Sequence, residues 1–145
     1  MTSPLRILHL AAFVVPLAVF TYLLLTPEPP KPPVQADDWL VFLFYKSGHA
    51  GGYAYLAAVG YLLPRVPRYR WAVVGFMMFH GVLTETIQAL VPDLHRHGCI
   101  QDVLIDWSGI AVGVVLARWV MRPRGHEKPA PAAFAGSHFP TARPE

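Results

Sequence analysis

Four long apolar runs constrain this sequence more than any other feature. They cover residues 5–25, 39–63, 71–91 and 103–121. A helix rises 1.5 Å per residue, so about 20 residues reach across a hydrocarbon layer of roughly 30 Å. Only 14% of the residues are charged, whereas a soluble domain is about one quarter charged. The runs therefore predict an all-α polytopic membrane protein, with a bundle of four transmembrane helices within residues 1–121.

The first run has a second interpretation as a signal peptide, because it lies near the N-terminus. It is long for the apolar core of such a peptide, and the PEPPKPP that follows it is a poor cleavage site, so a membrane span is favoured. Residues 26–38 are rich in proline and predict an extended connector. Residues 122–145 show no helical pattern and predict a disordered tail.

The distribution of Lys and Arg in the short loops predicts the orientation of the spans. Basic residues lie before the first run, in the turn 64–70, and at the end of the fourth run and beyond it. The loops after the first and third runs each contain a single basic residue, Lys31 and Arg96 respectively. Because cytoplasmic loops contain the excess of Lys and Arg, both termini are predicted to be cytoplasmic.

Polar residues collect at the predicted outer ends of the second, third and fourth runs. Their spacing places them on one helical face in each run: Lys46, His49 and Tyr53; Gly81, Glu85 and Gln88; Asp102, Asp106, Gly109 and Gly113. A charge that faces lipid is costly, so we expect the three faces to turn towards one another. Gly109 and Gly113 form a GxxxG pair, which permits close helix packing.

Each polar residue also has a simpler explanation. Asp102 is a possible helix cap, Lys46 can extend to the membrane interface, and Glu85 lies near a helix end where water reaches it. The same arrangement on three helices favours a shared site. His9 and His80 are interpreted as packed, hydrogen-bonded side chains.

The composition and the loop motif argue against several classes of partner. The net charge is only +3, and no basic stripe with interleaved aromatic residues indicates nucleic-acid binding. The loop presents Asp93, His95, His97 and Cys99, which are suitable metal ligands, but their spacing matches no zinc motif. We therefore predict no metal and no cofactor, and expect membrane lipids as partners.

These polar motifs resemble those of the VanZ-like family of bacterial membrane proteins. The family has Lys-x-x-His in the second span, Glu-x-x-Gln at the end of the third, an Arg in the next loop, and an Asp with following glycines in the fourth. The chain matches with KSGH (Lys46, His49), ETIQ (Glu85, Gln88), HRHGCIQD (Arg96, Asp102) and DWSGIAVG (Gly109, Gly113). The resemblance covers residues 39–120.

The chain departs from the family pattern at two positions. Tyr45 stands where an acid often precedes the lysine, and Asp106 stands where an asparagine is frequent. The family's founding member is associated with low-level resistance to the glycopeptide teicoplanin. The resemblance implies a multi-pass protein of the bacterial inner membrane with a related role in the cell envelope.

Three functions are compatible with the polar residues. In the favoured one, Lys46 and Arg96 bind an anionic envelope ligand such as a lipid head group, a cell-wall precursor or a lipoglycopeptide, while acids fix these cations. In the second, a small intramembrane enzyme uses His49 as general acid or base and Glu85 or Asp106 to orient it. In the third, the polar residues form a structural ion network. The sequence does not indicate an oligomeric state.

Overall fold

The structure is a computed structural model that describes residues 4–28, 37–64, 66–96 and 98–122. Every regular element in these residues is helical, which confirms the all-α prediction. The helices are α1 (Pro4–Leu25), α2 (Asp38–Leu62), α3 (Pro67–Leu90) and α4 (Ile100–Val120), with a 3₁₀ turn (Pro92–Leu94) before α4. The predicted tail at 122–145 lies almost wholly outside the described residues.

All four helices begin before the apolar runs that predicted them, and α3 and α4 do so by four and three residues. α3 begins at Pro67, four residues before the run, since proline suits the first turn of a helix where its missing N–H needs no partner. α4 begins at Ile100 and its N-cap position is Cys99, so Asp102 lies within the first turn and is not the cap. Hydropathy marks the apolar stretch, whereas backbone hydrogen bonding sets the helix ends.

The packing of α2 against α4 is the most extensive in the fold, and the two helices are parallel. The backbone of Gly109 lies against Ala50 and that of Gly113 lies against Ala54, so residue numbers rise together along both helices. Neither glycine has room for a Cβ atom. The lack of a side chain at these two positions of α4 therefore lets the two backbones approach closely.

The other two helices run in the opposite direction. His49 of α2 lies beside Glu85 near the end of α3, while Tyr61 packs against Trp71 near the start of α3. α1 is antiparallel to α2 as well, because Phe20 packs on Gly52 and the earlier Phe13 packs on the later Gly60. One end of the bundle, called the site end below, therefore combines the C-terminal ends of α1 and α3 with the N-terminal ends of α2 and α4.

The core and the surface have the distribution expected in lipid. The core comprises Leu24, Tyr53, Leu56, Ala57, Tyr61, Val74, Met77, Ile110, Val114 and Ala117. Large apolar side chains are exposed on the outside of all four helices. By length and composition, α1, α3 and α4 are apolar enough to cross a membrane. α2 is longer than α1, but Lys46 and His49 lower its hydropathy.

Candidate functional site

The predicted site residues lie together at the site end of the bundle. Their side chains come from the N-terminal half of α2, the last turns of α3, the loop before α4 and the first turns of α4. The predicted convergence of the three polar faces is observed, because side chains of α2 contact acids of both α3 and α4. The site comprises Lys46, His49, Glu85, Gln88, Arg96, Asp102 and Asp106.

Lys46 and Asp102 form an ion pair at the rim of the site. The Lys46 Nζ atom donates to Asp102 Oδ1. The two side chains are 23% and 10% exposed, so solvent or lipid head groups still reach the lysine. The ammonium also lies 5.2 Å from the ring centroid of Phe42. Asp102 therefore fixes Lys46 at a position that remains accessible.

His49, Glu85 and Asp106 form a deeper cluster, called the buried trio below. His49 Nδ1 lies 3.0 Å from Asp106 Oδ1 and 3.9 Å from Glu85 Oε1. The side chains of Glu85 and Asp106 are 4% and 0% exposed. Among the described residues, Glu85 Oε1 and Asp106 Oδ2 have no hydrogen-bond partner. Two carboxylates thus share one histidine in a place that solvent scarcely reaches.

The loop before α4 holds Glu85 in place. The backbone N–H of Cys99 donates to Glu85 Oε2 at 3.0 Å. Gly98 makes this approach possible, because a Cβ atom at that position would collide with the backbone carbonyl of Glu85 itself. The loop therefore closes tightly over the end of α3. Of its candidate metal ligands, Asp93 and His95 are exposed and Cys99 is half-buried. His97 lies outside the described residues.

Gln88 and Arg96 contact α1 instead of the acids. Gln88 Nε2 donates to the carbonyl of Leu24 at 2.8 Å. Arg96 donates through Nη2 to Leu23 at 2.9 Å and through Nε to Thr26 at 3.1 Å. The expectation that acids fix Arg96 is therefore wrong, because the last carbonyls of α1 lack helical partners and accept these bonds. Burial lowers the pKa of the Arg96 guanidinium, which nevertheless stays charged at neutral pH.

A second polar layer lies beneath the trio. The Tyr53 hydroxyl is 3.0 Å from His80 Nδ1 and 3.3 Å from Thr84 Oγ1. Thr21 of α1 hydrogen-bonds the other ring nitrogen of His80 at 2.9 Å. His80 is therefore a packed, hydrogen-bonded histidine, as predicted. The same prediction is wrong for His9, which is exposed on α1.

Two adjoining cavities open at the site. The first, called the apolar groove, has a volume of about 400 Å³ and lies between α1 and α2. Its lining includes Phe20, Leu23, Phe44 and Gly48 and ends at His49 and Arg96. The second, called the head-group pocket, has a volume of about 250 Å³ and is lined by Tyr45, Lys46, His49, Gln88, His95, Arg96 and Asp102. The two cavities share Tyr45, His49 and Arg96.

Sequence reasoning missed the contribution of α1 and the partner surface of the glycines. The α1 carbonyls that bind Gln88 and Arg96 have no sequence signal, because every residue has a carbonyl. The alanines of α2 that meet the glycines did have one. Ala50, Ala54 and Ala58 recur every four residues and complement the GxxxG spacing of α4.

The comparisons with known proteins agree with the polar motifs. The family described as VanZ/LLP1 matches residues 5–121, which include all four helices and the whole site. Comparison with curated proteins and with solved structures finds no match. The match covers well over half of the chain and confirms the resemblance seen in the motifs. The chain belongs to the VanZ/LLP1 family.

Proposed function

We propose that the chain is an inner-membrane protein with four spans, with both termini in the cytoplasm and the site at the outer face. The parallel packing of α2 along α4 indicates that α2 crosses the membrane as well, because α4 is itself long and apolar enough to cross. Within α2, Lys46 and His49 pair with acids of α4, which shields most of their polar surface from lipid. The loop distribution of Lys and Arg supports the orientation.

We further propose that the site binds an anionic molecule anchored in the outer leaflet, such as a lipid-linked cell-wall precursor. The observation that carries this proposal is the junction of the two cavities at His49 and Arg96. An acyl or polyprenyl chain fits the apolar groove, whose wall consists of aromatic and aliphatic side chains. Its head group then lies in the adjoining pocket beside Lys46 and Arg96.

The charges around the pocket favour a phosphate or carboxylate. A guanidinium has five N–H donors, and Arg96 uses only its Nε and one Nη2 contact on α1. Its remaining donors are suited to an anionic oxygen. Lys46 is held by a single carboxylate contact and keeps further donors on its ammonium. The pocket thus offers two positioned cations beside an apolar channel.

Native mass spectrometry of the purified protein tests this proposal with a matched pair of probes. A polyprenyl phosphate and the corresponding polyprenol have the same tail and differ only in the charged group. We expect the phosphate to bind more tightly than the alcohol, by at least about tenfold, because charge-assisted hydrogen bonds contribute about 1.5–3 kcal/mol. Arg96→Gln should remove most of that preference, while Arg118→Gln at the opposite end should retain it.

The apolar groove has its own paired test. Gly48 lines the groove and a Cβ atom there meets nothing within 4 Å, so Gly48→Leu adds a side chain to the groove without backbone strain at its Cβ. Gly51 of the same helix is equally open but is not part of the groove lining, and Gly51→Leu is the control. Weaker binding of both probes only in Gly48→Leu supports the groove. Equal binding in the two variants would reject it.

A second candidate function is hydrolysis of a lipid-linked head group. It is favoured by the 3.0 Å contact between His49 and the buried Asp106, because a carboxylate that orients a histidine is a common arrangement for a general base. The reaction would use water as the nucleophile. Release of a labelled head group that is lost in His49→Gln and retained in Arg118→Gln would support it, and release unaffected by His49→Gln would reject it.

The family resemblance suggests a phenotype for the binding function. A bacterial host that produces the chain is expected to tolerate more teicoplanin than a host that produces Arg96→Gln at the same level. Equal susceptibility of the two strains would show that Arg96 does not contribute to teicoplanin tolerance, and it would leave the lipid-binding measurements unaffected.

A further inference from the structure

We propose that the buried trio of His49, Glu85 and Asp106 is a binding site for one divalent metal ion. Each residue contributes one potential ligand atom, and these atoms all lie within 4.8 Å of one another. The trio unites three helices, whereas the loop motif that suggested metal ligands in the sequence points elsewhere. The inference does not depend on the lipid ligand proposed above.

The distances suit a common ion. Nitrogen and oxygen ligands bind divalent ions at about 2.1 Å, so two ligands of one ion are about 3.0 Å apart at a right angle and about 4.2 Å apart when opposite. His49 Nδ1 lies 3.0 Å from Asp106 Oδ1 and 3.9 Å from Glu85 Oε1. Both distances fall within that interval. The candidate ligand atoms of Glu85 and Asp106 lie within 4.8 Å of each other, so the two carboxylates must move closer together to bind one ion.

The unpartnered oxygens provide independent support. Glu85 Oε1 and Asp106 Oδ2 are buried without a hydrogen bond from the described residues, although their side chains are 4% and 0% exposed. Buried polar oxygens normally have a partner, and a buried charge is normally paired or coordinates a metal. The Glu85 oxygen is also the one that approaches His49. Glu85 Oε1 thus lies where an ion would satisfy it, and Asp106 Oδ2 belongs to the carboxylate whose other oxygen contacts His49.

The balance of charge points in the same direction. Lys46 is paired with Asp102, and Arg96 donates to backbone carbonyls of α1. A protonated His49 would offset only one of the two remaining carboxylates. A divalent ion with a neutral histidine offsets both. Unpaired charge is costly in a membrane interior, so the trio requires a further positive charge, which a proton or a divalent ion supplies.

The ligand types indicate the class of ion. Two carboxylates suit hard ions such as Mn²⁺ and Mg²⁺, whereas an imidazole favours transition metals. A site with both is suited to Mn²⁺ or Zn²⁺ more than to Ca²⁺, which prefers an all-oxygen shell. His49 lines both cavities, so an ion held beside it is reachable from the head-group pocket.

Titration with Mn²⁺ tests the proposal without any lipid probe. The purified full-length chain is stripped with a chelator, and free Mn²⁺ is followed by its electron paramagnetic resonance signal. We expect one ion per chain, and a loss of affinity of at least about 100-fold in Glu85→Gln and in Asp106→Asn. Mutation of a residue that only hydrogen-bonds to a metal ligand already lowers metal affinity about 10–100-fold. Asp93→Asn, in the exposed loop and outside both cavities, is the control and should bind normally.

A second measurement stays informative if either acid variant fails to fold. Pulsed resonance spectra of Mn²⁺ bound to the wild-type chain should show coupling to an imidazole nitrogen, and His49→Gln should abolish that coupling. Three results would overturn the proposal: no Mn²⁺ bound by the wild-type chain, bound Mn²⁺ without nitrogen coupling, or binding that is lost in Asp93→Asn instead of the trio variants. Failure of lipid binding would leave all of these readouts unchanged.

Discussion

Gly109→Ala should weaken the packing of α2 against α4, and the loss of unfolding free energy follows from the atoms that meet at this contact. A Cβ atom on residue 109 would lie against the carbonyl oxygen, the carbonyl carbon and the Cα of Ala50. All three belong to a helix backbone, so the strain cannot be relieved by turning a side chain. Overpacking of this kind costs about 1–3 kcal/mol. Replacing a helical glycine by alanine stabilises a helix by about 0.5–1 kcal/mol, so the net loss of stability is about 0–2.5 kcal/mol.

Gly51→Ala is the matched control, because a Cβ atom there meets nothing within 4 Å. It gains the same helix preference and has no clash, so the difference between the two variants isolates the packing term at about 1–3 kcal/mol. The free energy of unfolding is measured for each by titration with sodium dodecyl sulfate in mixed micelles. Equal unfolding free energies in the two variants would refute the reasoning, since the glycine would then not be needed for helix contact.

Three further predictions follow from the polar contacts and the proposed orientation. Tyr53→Phe removes the hydroxyl that links α2 to α3 and should lower the unfolding free energy by about 1–2 kcal/mol in the same titration. A double-mutant cycle with Lys46→Met and Asp102→Leu should give a coupling energy of about 0.5–3 kcal/mol, and additive effects would contradict the ion pair. A reporter fused within residues 64–70 should read cytoplasmic and one within 93–101 should read external, while the reverse pattern would contradict the orientation.

The helices and the convergence of their polar faces were readable from the sequence because periodicity encodes both. Residues spaced by three, four and seven must share a helical face, and a face with Glu85 or Asp106 is costly to expose to lipid. The same logic predicted that Lys46 and His49 would meet those acids. Four apolar runs also predicted the helices, although the structure identifies only α1, α3 and α4 as apolar enough to span.

The pairing of individual charges was not readable. Arg96 was expected beside a carboxylate, but it contacts the carbonyls that end α1. Those acceptors depend on where α1 stops and how it packs, and sequence pattern reports neither. The site thus has a fourth wall, formed by backbone atoms of α1, which no sequence motif predicts. The apolar groove also depends on how α1 packs, because Phe20 and Leu23 of α1 form part of its lining.

The site is built on two parts of the bundle that differ in how tightly they pack. α1 packs loosely, because Leu24 is the one residue of Pro4–Leu25 that is buried. In contrast, α2 and α4 are joined through backbone contact. A lipid tail in the groove would therefore lie beside the most weakly packed wall. Displacing that wall would release Gln88 and Arg96 from the α1 carbonyls without separating Asp106 from His49. The glycine contact thus holds His49 and Asp106 together, while the carbonyls at the end of α1 hold Arg96 beside the head-group pocket.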